Sequence, residues 1–290
     1  NLTKDNIYVL ESPILSNSQF EKFSNYFKKN IKVLDCTFNV NESLKERLNS
    51  LRLEAETAVR EGGKHLLLTD KNISEEKAAV PMILAIGAIN SRLVELGIRG
   101  FASLNVQTGE ALDTHSFAVL LGVGATVINP YIAFDSIYQR YEKKLFGKLS
   151  FEDCVNRYIK SVDNGLLKIM SKMGISVLSA YRGGCNFEVV GLSRAIVTEY
   201  FSGMVSRISG IGIFGIEKKI KELHKKAFQK NVAILPIGGI YKYRKNGETH
   251  QFQGQLIHML QSAVTNNSYE VYKKYVKGIY DLPIINLRDL

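Results

Sequence analysis

Several short stretches of this sequence have residue types and spacing that could carry chemistry. The first is Gly109-Glu110, which follows an apolar run ending at Val106 and precedes a helical stretch from Asp113 to Leu121, closed by Gly122 and Gly124. Glycines let the backbone approach an anion, and the unpaired amides of a helix N-terminus point at it. Glu110 works against that use, because a carboxylate beside an anion is repulsive. His115, one turn into the same helix, could act as a base, although a histidine on an apolar helix is more often packed or capping. Asp70 ends a predicted strand, where parallel α/β folds place catalytic groups, but it has no sequence-local partner. Arg182-Gly183-Gly184 reads either as an anion nest after a strand or as a tight turn with an exposed arginine. Gly238-Gly239 fits turn geometry.

Other chemistries lack a basis. Cys36, Cys154 and Cys185 are too few and too far apart for a disulfide framework or a metal cluster, no CxxC or HExxH occurs, and Cys185 has no histidine nearby in sequence. There is no Walker A motif, no GxGxxG after a strand and no GxSxG. No catalytic or metal-binding residue is therefore assigned.

These residues depend on the elements that position them. The first two thirds of the chain alternate short apolar runs with long amphipathic ones, which predicts βα units and a parallel sheet. Strands are expected at Ile31–Cys36, His65–Thr69, Phe101–Val106 and Thr126–Ile128. Ser43 opens a helix with Glu46 completing a capping box, and Leu44, Leu48, Leu51, Ala55 and Ala58 share its buried face. Gly62-Gly63 stops it. A second helix covers Pro81 to Leu96 with Gly97 as its stop. Helices follow near Ile132–Phe146 and Phe151–Met173, then a short strand Ser176–Ala180 and an irregular glycine-rich stretch Gly203–Gly215. A basic helix spans Ile213–Ala227, with Ile213, Ile216, Ile220, Leu223 and Ala227 on one side. A polar hairpin-like segment near Tyr241–His250 and helices near Gln255–Val264 and Tyr269–Tyr280 complete the chain.

The composition is that of a globular protein: 290 residues, 45% hydrophobic and 23% charged. No linker of low complexity interrupts it, so one domain over 1–290 is expected. The formal net charge of +10 comes mainly from lysine. A nucleic-acid-binding module would draw on Tyr241, Tyr243, Arg244 and Lys245. The helical spacing over 213–227 favours a solvated lysine face instead. No run approaches a membrane span and no signal peptide is evident, so a soluble, cytoplasmic protein is expected. The start at Asn1 and the end at Leu287-Arg288-Asp289-Leu290 suggest a piece cut from a longer chain.

The order strand, glycine turn, helix, glycine, strand over residues 104–128 resembles the last two βα units of FMN-linked (β/α)₈ barrels. That resemblance implies a rudimentary or incomplete TIM-barrel-like α/β domain, with Gly109, Glu110 and Gly124 as a vestigial phosphate loop. Beyond this, the sequence resembles the central domain of the glutamate synthase large chain. The resemblance rests on Ser12-Pro13-Ile14-Leu15, on Leu66 to Lys71, on Pro81 to Ile89, and on Gly109-Glu110 with His115 and Phe117–Gly122. It continues through Asn129-Pro130-Tyr131, the stretch Gly165–Ser176, Tyr181-Arg182-Gly183-Gly184, Phe187–Leu192, Ser206–Gly212 and Gly247-Glu248 with His250. Two departures are visible: Asn90-Ser91-Arg92 and Ser116 stand where the family tends to have histidines.

The resemblance implies a structural connecting domain that orients an amidotransferase domain and an FMN-binding domain of the same chain beside an ammonia tunnel. The parent reaction would convert L-glutamine, 2-oxoglutarate and reductant to two L-glutamates, with FMN and an iron–sulfur cluster held elsewhere in the parent and no cofactor here. A small subunit or ferredoxin would be the parent's partner, and residues 282–290 would begin the linker to the FMN-binding domain. Asp70, His115, Arg182, Gly183 and Gly184 remain candidates for an interface or an alternative site. The competing readings are an autonomous barrel enzyme acting on a phosphorylated ligand or flavin through Asp70, His115 and the Gly109 loop, and the nucleic-acid module.

Overall fold

The computed structural model describes residues 8–229, 237–240 and 242–285. Tyr241, the chain start at Asn1 and residues 286–290 of the expected linker lie outside the described residues. The chain packs as two compact units, Asn1–Phe228 and Gln229–Leu290. Both fall within the stretch expected as one domain, and the boundary carries no shift in composition that a sequence could show.

The first unit contains α1 (Asn17–Tyr26), β1 (Ile31–Asp35), β2 (Thr37–Asn39), α2 (Leu44–Arg60), β3 (His65–Thr69), β4 (Lys77–Ala79), α3 (Met82–Glu95), β5 (Ser103–Gln107), α4 (Thr114–Val123), β6 (Val127–Asn129), α5 (Tyr131–Glu142), α6 (Phe151–Lys172), α7 (Leu178–Tyr181), α8 (Arg194–Tyr200) and α9 (Ile213–Ala227). The second contains α10 (Gly254–Thr265) and α11 (Tyr269–Tyr280), which pack together; Gly278 makes room for Leu256, whose Cδ2 would lie 2.6 Å from an added Cβ.

All four predicted strands are parallel and lie in one sheet of order β1-β3-β5-β6. The sheet is open, not closed into a barrel. Beyond β6 the chain at residues 13–15 continues the ladder, with Leu15 N–H donating to Ile128 O (2.9 Å) and Ile128 N–H to Pro13 O (2.8 Å). A two-stranded antiparallel pair, β2 with β4, sits just past the C-terminal ends of β1 and β3 and was not foreseen. Short runs such as Lys77–Ala79 carry too little periodicity to be read alone.

The helix faces follow the spacing. Leu44, Leu48, Leu51, Ala55 and Ala58 of α2 are buried in the main core. Gly62 and Gly97 sit at positive φ just past α2 and α3, each within a paired hydrogen-bond closure: Gly63 to Ala58 and Gly62 to Val59, then Ile98 to Leu93 and Gly97 to Val94. These closures satisfy carbonyls that the helix itself leaves open, at a φ glycine adopts freely.

Three expectations need correction. Ser43 is the N-cap of α2, but its side chain caps nothing and no Ser43–Glu46 box forms. Instead Glu217 of α9 reaches across to accept from Leu44 N–H at 2.9 Å. The segment Ser176–Ala180 is not a strand; residues 178–181 form a single helical turn. There Tyr181 is 1% exposed and donates its hydroxyl to Ala118 O at 3.1 Å, so tertiary burial overrides the β-like pattern. On α9, Ile213, Ile216 and Ile220 pack against the core, but Leu223 is 67% exposed, so the apolar contact ends at Ile220 and His224 beyond it is held by a hydrogen bond to Glu75 O (3.0 Å).

Candidate functional site

The parallel sheet ends in a row of polar residues at one register level. Asp35 pairs with Thr69, Thr69 with Gln107, and Gln107 with Asn129. Their side chains link across the strands: Thr69 Oγ1 donates to Gln107 Oε1 (3.2 Å) and Gln107 Nε2 to Asn129 Oδ1 (3.1 Å). Asn129 Nδ2 then donates to Leu15 O (3.0 Å) and Asn17 Oδ1 (2.9 Å). At the other end, Asp35 accepts from the Thr37 hydroxyl (2.8 Å) and Asn72 Nδ2 (3.0 Å), while Arg47 Nη2 donates to Asp35 O (2.6 Å). Each group is thus satisfied by another of the same rim, as buried polar atoms require.

Asp70 lies at the centre of this rim and is 1% exposed. It accepts from the Thr108 hydroxyl (2.6 Å) and from Gly109 N–H (3.1 and 3.2 Å to its two oxygens). The partner that sequence reading could not find is therefore the Gly109 loop itself. Burial, and then the Asp70 charge, push the Tyr131 phenol well above its usual range; the same two causes, in the same order, raise the Cys36 thiol. Lys71 sits over the Tyr131 ring, 5.2 Å from its centroid. At Gly109 a Cβ would come within 2.8 Å of Ile132, so the glycine is needed for the packing of α5.

Glu110 turns its carboxylate onto the first turn of α3, accepting from Met82 N–H at 2.7 Å. Helix α3 has Pro81 at its N-cap, which supplies no side-chain acceptor. Burial raises the Glu110 carboxyl, the Met82 N–H opposes it, and the charge of Asp70 adds to the rise. Asp113 is the N-cap of α4, accepting from Ser116 N–H (2.9 Å) and from its hydroxyl (2.6 Å), bonds that hold its carboxyl below the usual range. The Gly109 amide is engaged by Asp70, and the Glu110 and Asp113 carboxylates are bonded to the neighbouring helix ends.

His115 is exposed on the first turn of α4, neither buried nor capping. With Ile83, Glu110, Ser116, Val119 and Leu120 it lines a cavity of about 220 Å³. His115 also lines, with Ile83, Val119, Val123, Phe187 and Met204, a cavity of about 300 Å³, at the lower end of the range of about 300–1,000 Å³ common for ligand pockets. The structure does not bring Gly124 to Gly109. Gly124 follows the far end of α4, about 15 Å along a helix of this length, and closes it at φ 138° before β6. Arg182-Gly183-Gly184 follows a helical turn, not a strand, and lies away from Asp70 at the opposite end of the sheet. Among the described residues no group of three or more His, Cys, Asp or Glu could hold a metal ion.

Sequence reading missed Asp35, Arg47, Gln107, Asn129 and Tyr131. A signal was present, since each strand ends on a polar residue, but register alone shows that these residues align.

Comparison with known proteins agrees with this architecture. The family model of the glutamate synthase central domain matches residues 2–193. The glutamate synthase [NADPH] large chain of Azospirillum brasilense is 49% identical over 99% of this chain. The Bacillus subtilis (strain 168) large chain is 36% identical over 97%, and the ferredoxin-dependent glutamate synthase of Spinacia oleracea chloroplasts is 34% identical over 97%. The chain spans only 19%, 18% and 18% of those relatives, in the same order. With an open parallel sheet whose rim is bonded inward, and with a match over most of its length, this chain belongs to the glutamate synthase central-domain family.

Proposed function

We propose that this chain is a connecting domain of a glutamate synthase large chain, orienting amidotransferase and FMN-binding domains and bordering an ammonia tunnel, without chemistry of its own. The observation that carries this reading is the Glu110 carboxylate on Met82 N–H. The acid that spoils the phosphate loop is the acid that closes helix α3, so the loop serves the scaffold. The parent would use FMN and an iron–sulfur cluster in another domain, draw electrons through a small subunit or ferredoxin, and reside in the cytoplasm. No role in binding nucleic acid is assigned to the lysines of α9; Lys221 is bound to Glu217 Oε1 (2.7 Å) and Glu42 O (2.8 Å).

A surface feature supports the connecting role. Residues 188–192 and 205–211, on either side of α8, run side by side, tied by Val189 N–H to Val205 O (2.8 Å) and Gly191 N–H to Ile208 O (3.1 Å). Val190, Val205, Ile208 and Phe214 are all more than half exposed around these ties. Exposed apolar side chains close together in the chain suit a surface that another domain covers. FMN titration tests the reading: flavin fluorescence stays unquenched at micromolar protein. Stoichiometric quenching would instead promote the autonomous flavin enzyme, with Gly109 as the first residue to mutate.

A further inference from the structure

Arg182 carries a guanidinium that no carboxylate answers. Its side chain is half-buried, its Nε is buried without a hydrogen-bond acceptor, and it takes part in no ion pair among the described residues. A second guanidinium converges on the same turn. Gly183 N–H donates to Gly122 O (2.9 Å), and Arg99 Nη2 donates to Gly124 O (2.9 Å). Arg99 is fixed there by two more bonds, Nε to Asn90 Oδ1 (2.6 Å) and Nη1 to Ala102 O (2.5 Å). All three of these Arg99 acceptors are neutral.

Burial, and then the charge of Arg182, lower the Arg99 guanidinium to about 10, and burial lowers Arg182 as well. Both remain cationic at neutral pH. Two like charges in a partly desolvated place repel unless an anion lies with them. The backbone cannot supply a nest here, because Gly183 N–H is bound to Gly122 O and Gly184 N–H to Tyr181 O (3.3 Å). The recognising groups must then be side chains, and the planar arginine fork matches the oxygens of a carboxylate or phosphate.

We propose that Arg182 and Arg99, gathered at the Gly122–Gly124 turn, form a recognition point for an oxyanion. Arg182 grips the oxygens and Arg99 supplies a second, rigidly held positive charge. The point lies at the N-terminal ends of β5 and β6, at the opposite end of the sheet from Asp70. The oxyanion is either a free phosphate or a side-chain carboxylate presented by protein outside this chain.

Thermal unfolding of the purified protein tests this, with inorganic phosphate, sodium acetate and sodium chloride compared at matched ionic strength. The wild type is expected to show a saturable rise in Tm with phosphate, acetate or both, beyond that with chloride. Arg182→Gln should abolish the rise and be at least as stable as wild type in chloride, because the repulsion is relieved; Arg182→Lys should keep part of it. A response to phosphate alone identifies a free phosphate, and a response to acetate identifies a carboxylate. Should Arg182→Gln fail to fold, the Nε–H resonance of Arg182 followed in the wild type during the same titrations reports binding at its guanidinium, and a resonance that does not move with phosphate or acetate overturns the proposal. No response beyond chloride, or an equal response in Arg182→Gln, overturns the proposal.

Discussion

At the scale of single residues, Glu110 serves the backbone of a neighbouring helix. Its oxygen takes the Met82 amide that Pro81 cannot serve. Glu110→Ala leaves that amide without its acceptor and should cost about 1 kcal/mol, as loss of an N-cap does, measured as a shift of the urea midpoint at unchanged slope. Glu110→Gln keeps an acceptor while removing a partly buried charge. The folded carboxyl titrates above its ordinary value of 4.5. Its stabilising contribution is thus complete below 4.5 and is lost as pH rises through the folded pKa. Glu110→Gln should therefore gain stability relative to wild type as pH rises above 4.5; a gap that shrinks as pH rises would contradict the assignment.

Between elements, helix ends and helical glycines hold this molecule together. Glu217 of α9 serves the amide of Leu44 at the start of α2 and holds Lys221 at 2.7 Å. Burial pushes its carboxyl up, but Lys221 and the Leu44 amide outweigh burial and leave it below 4.5. The stabilisation is present above 4.5 and is lost as pH falls through the folded value. Glu217→Ala should cost about 1 kcal/mol and loosen α9, which hydrogen exchange over residues 213–227 would detect. Gly122 of α4 makes room for Phe187, whose ring carbon would lie 2.1 Å from an added Cβ; Gly87 of α3 does the same for Phe201 at 2.5 Å. Gly122→Ala should cost about 1–3 kcal/mol by overpacking. A Gly122→Ala/Phe187→Ala double variant should lose less than the sum of the two, which a double-mutant cycle checks.

For the whole molecule, the exposed Val190, Val205, Ile208 and Phe214 are where the proposed connecting role can be tested. Phe214 is 75% exposed. Phe214→Ser should leave the stability of the purified protein within about 0.5 kcal/mol. Under the proposed connecting role, the same change in a complete large chain should lower the yield of glutamate per glutamine hydrolysed. An unchanged yield would move the interface elsewhere on the surface. No helix among the described residues is long and apolar enough to cross a membrane.

The sequence by itself determined what depends on near neighbours. The strand at His65–Thr69 and the helices at Ile213–Ala227 and Tyr269–Tyr280 stand where periodicity placed them, and Gly62 and Gly97 close their helices at positive φ. Alternation of strands and helices was enough to demand a parallel sheet, since short crossovers leave little else. Tertiary structure alone decided which acid faces which amide. Glu110 lies 28 residues from Met82 and Glu217 lies 173 from Leu44, distances over which no local pattern reports. It also decided that Gly124 and Gly109 sit at opposite ends of α4, and that Arg182 comes beside Arg99 instead of beside Asp70. Secondary structure follows from the side chains a few residues away; a site follows from register, helix length and packing, which the chain acquires only when folded.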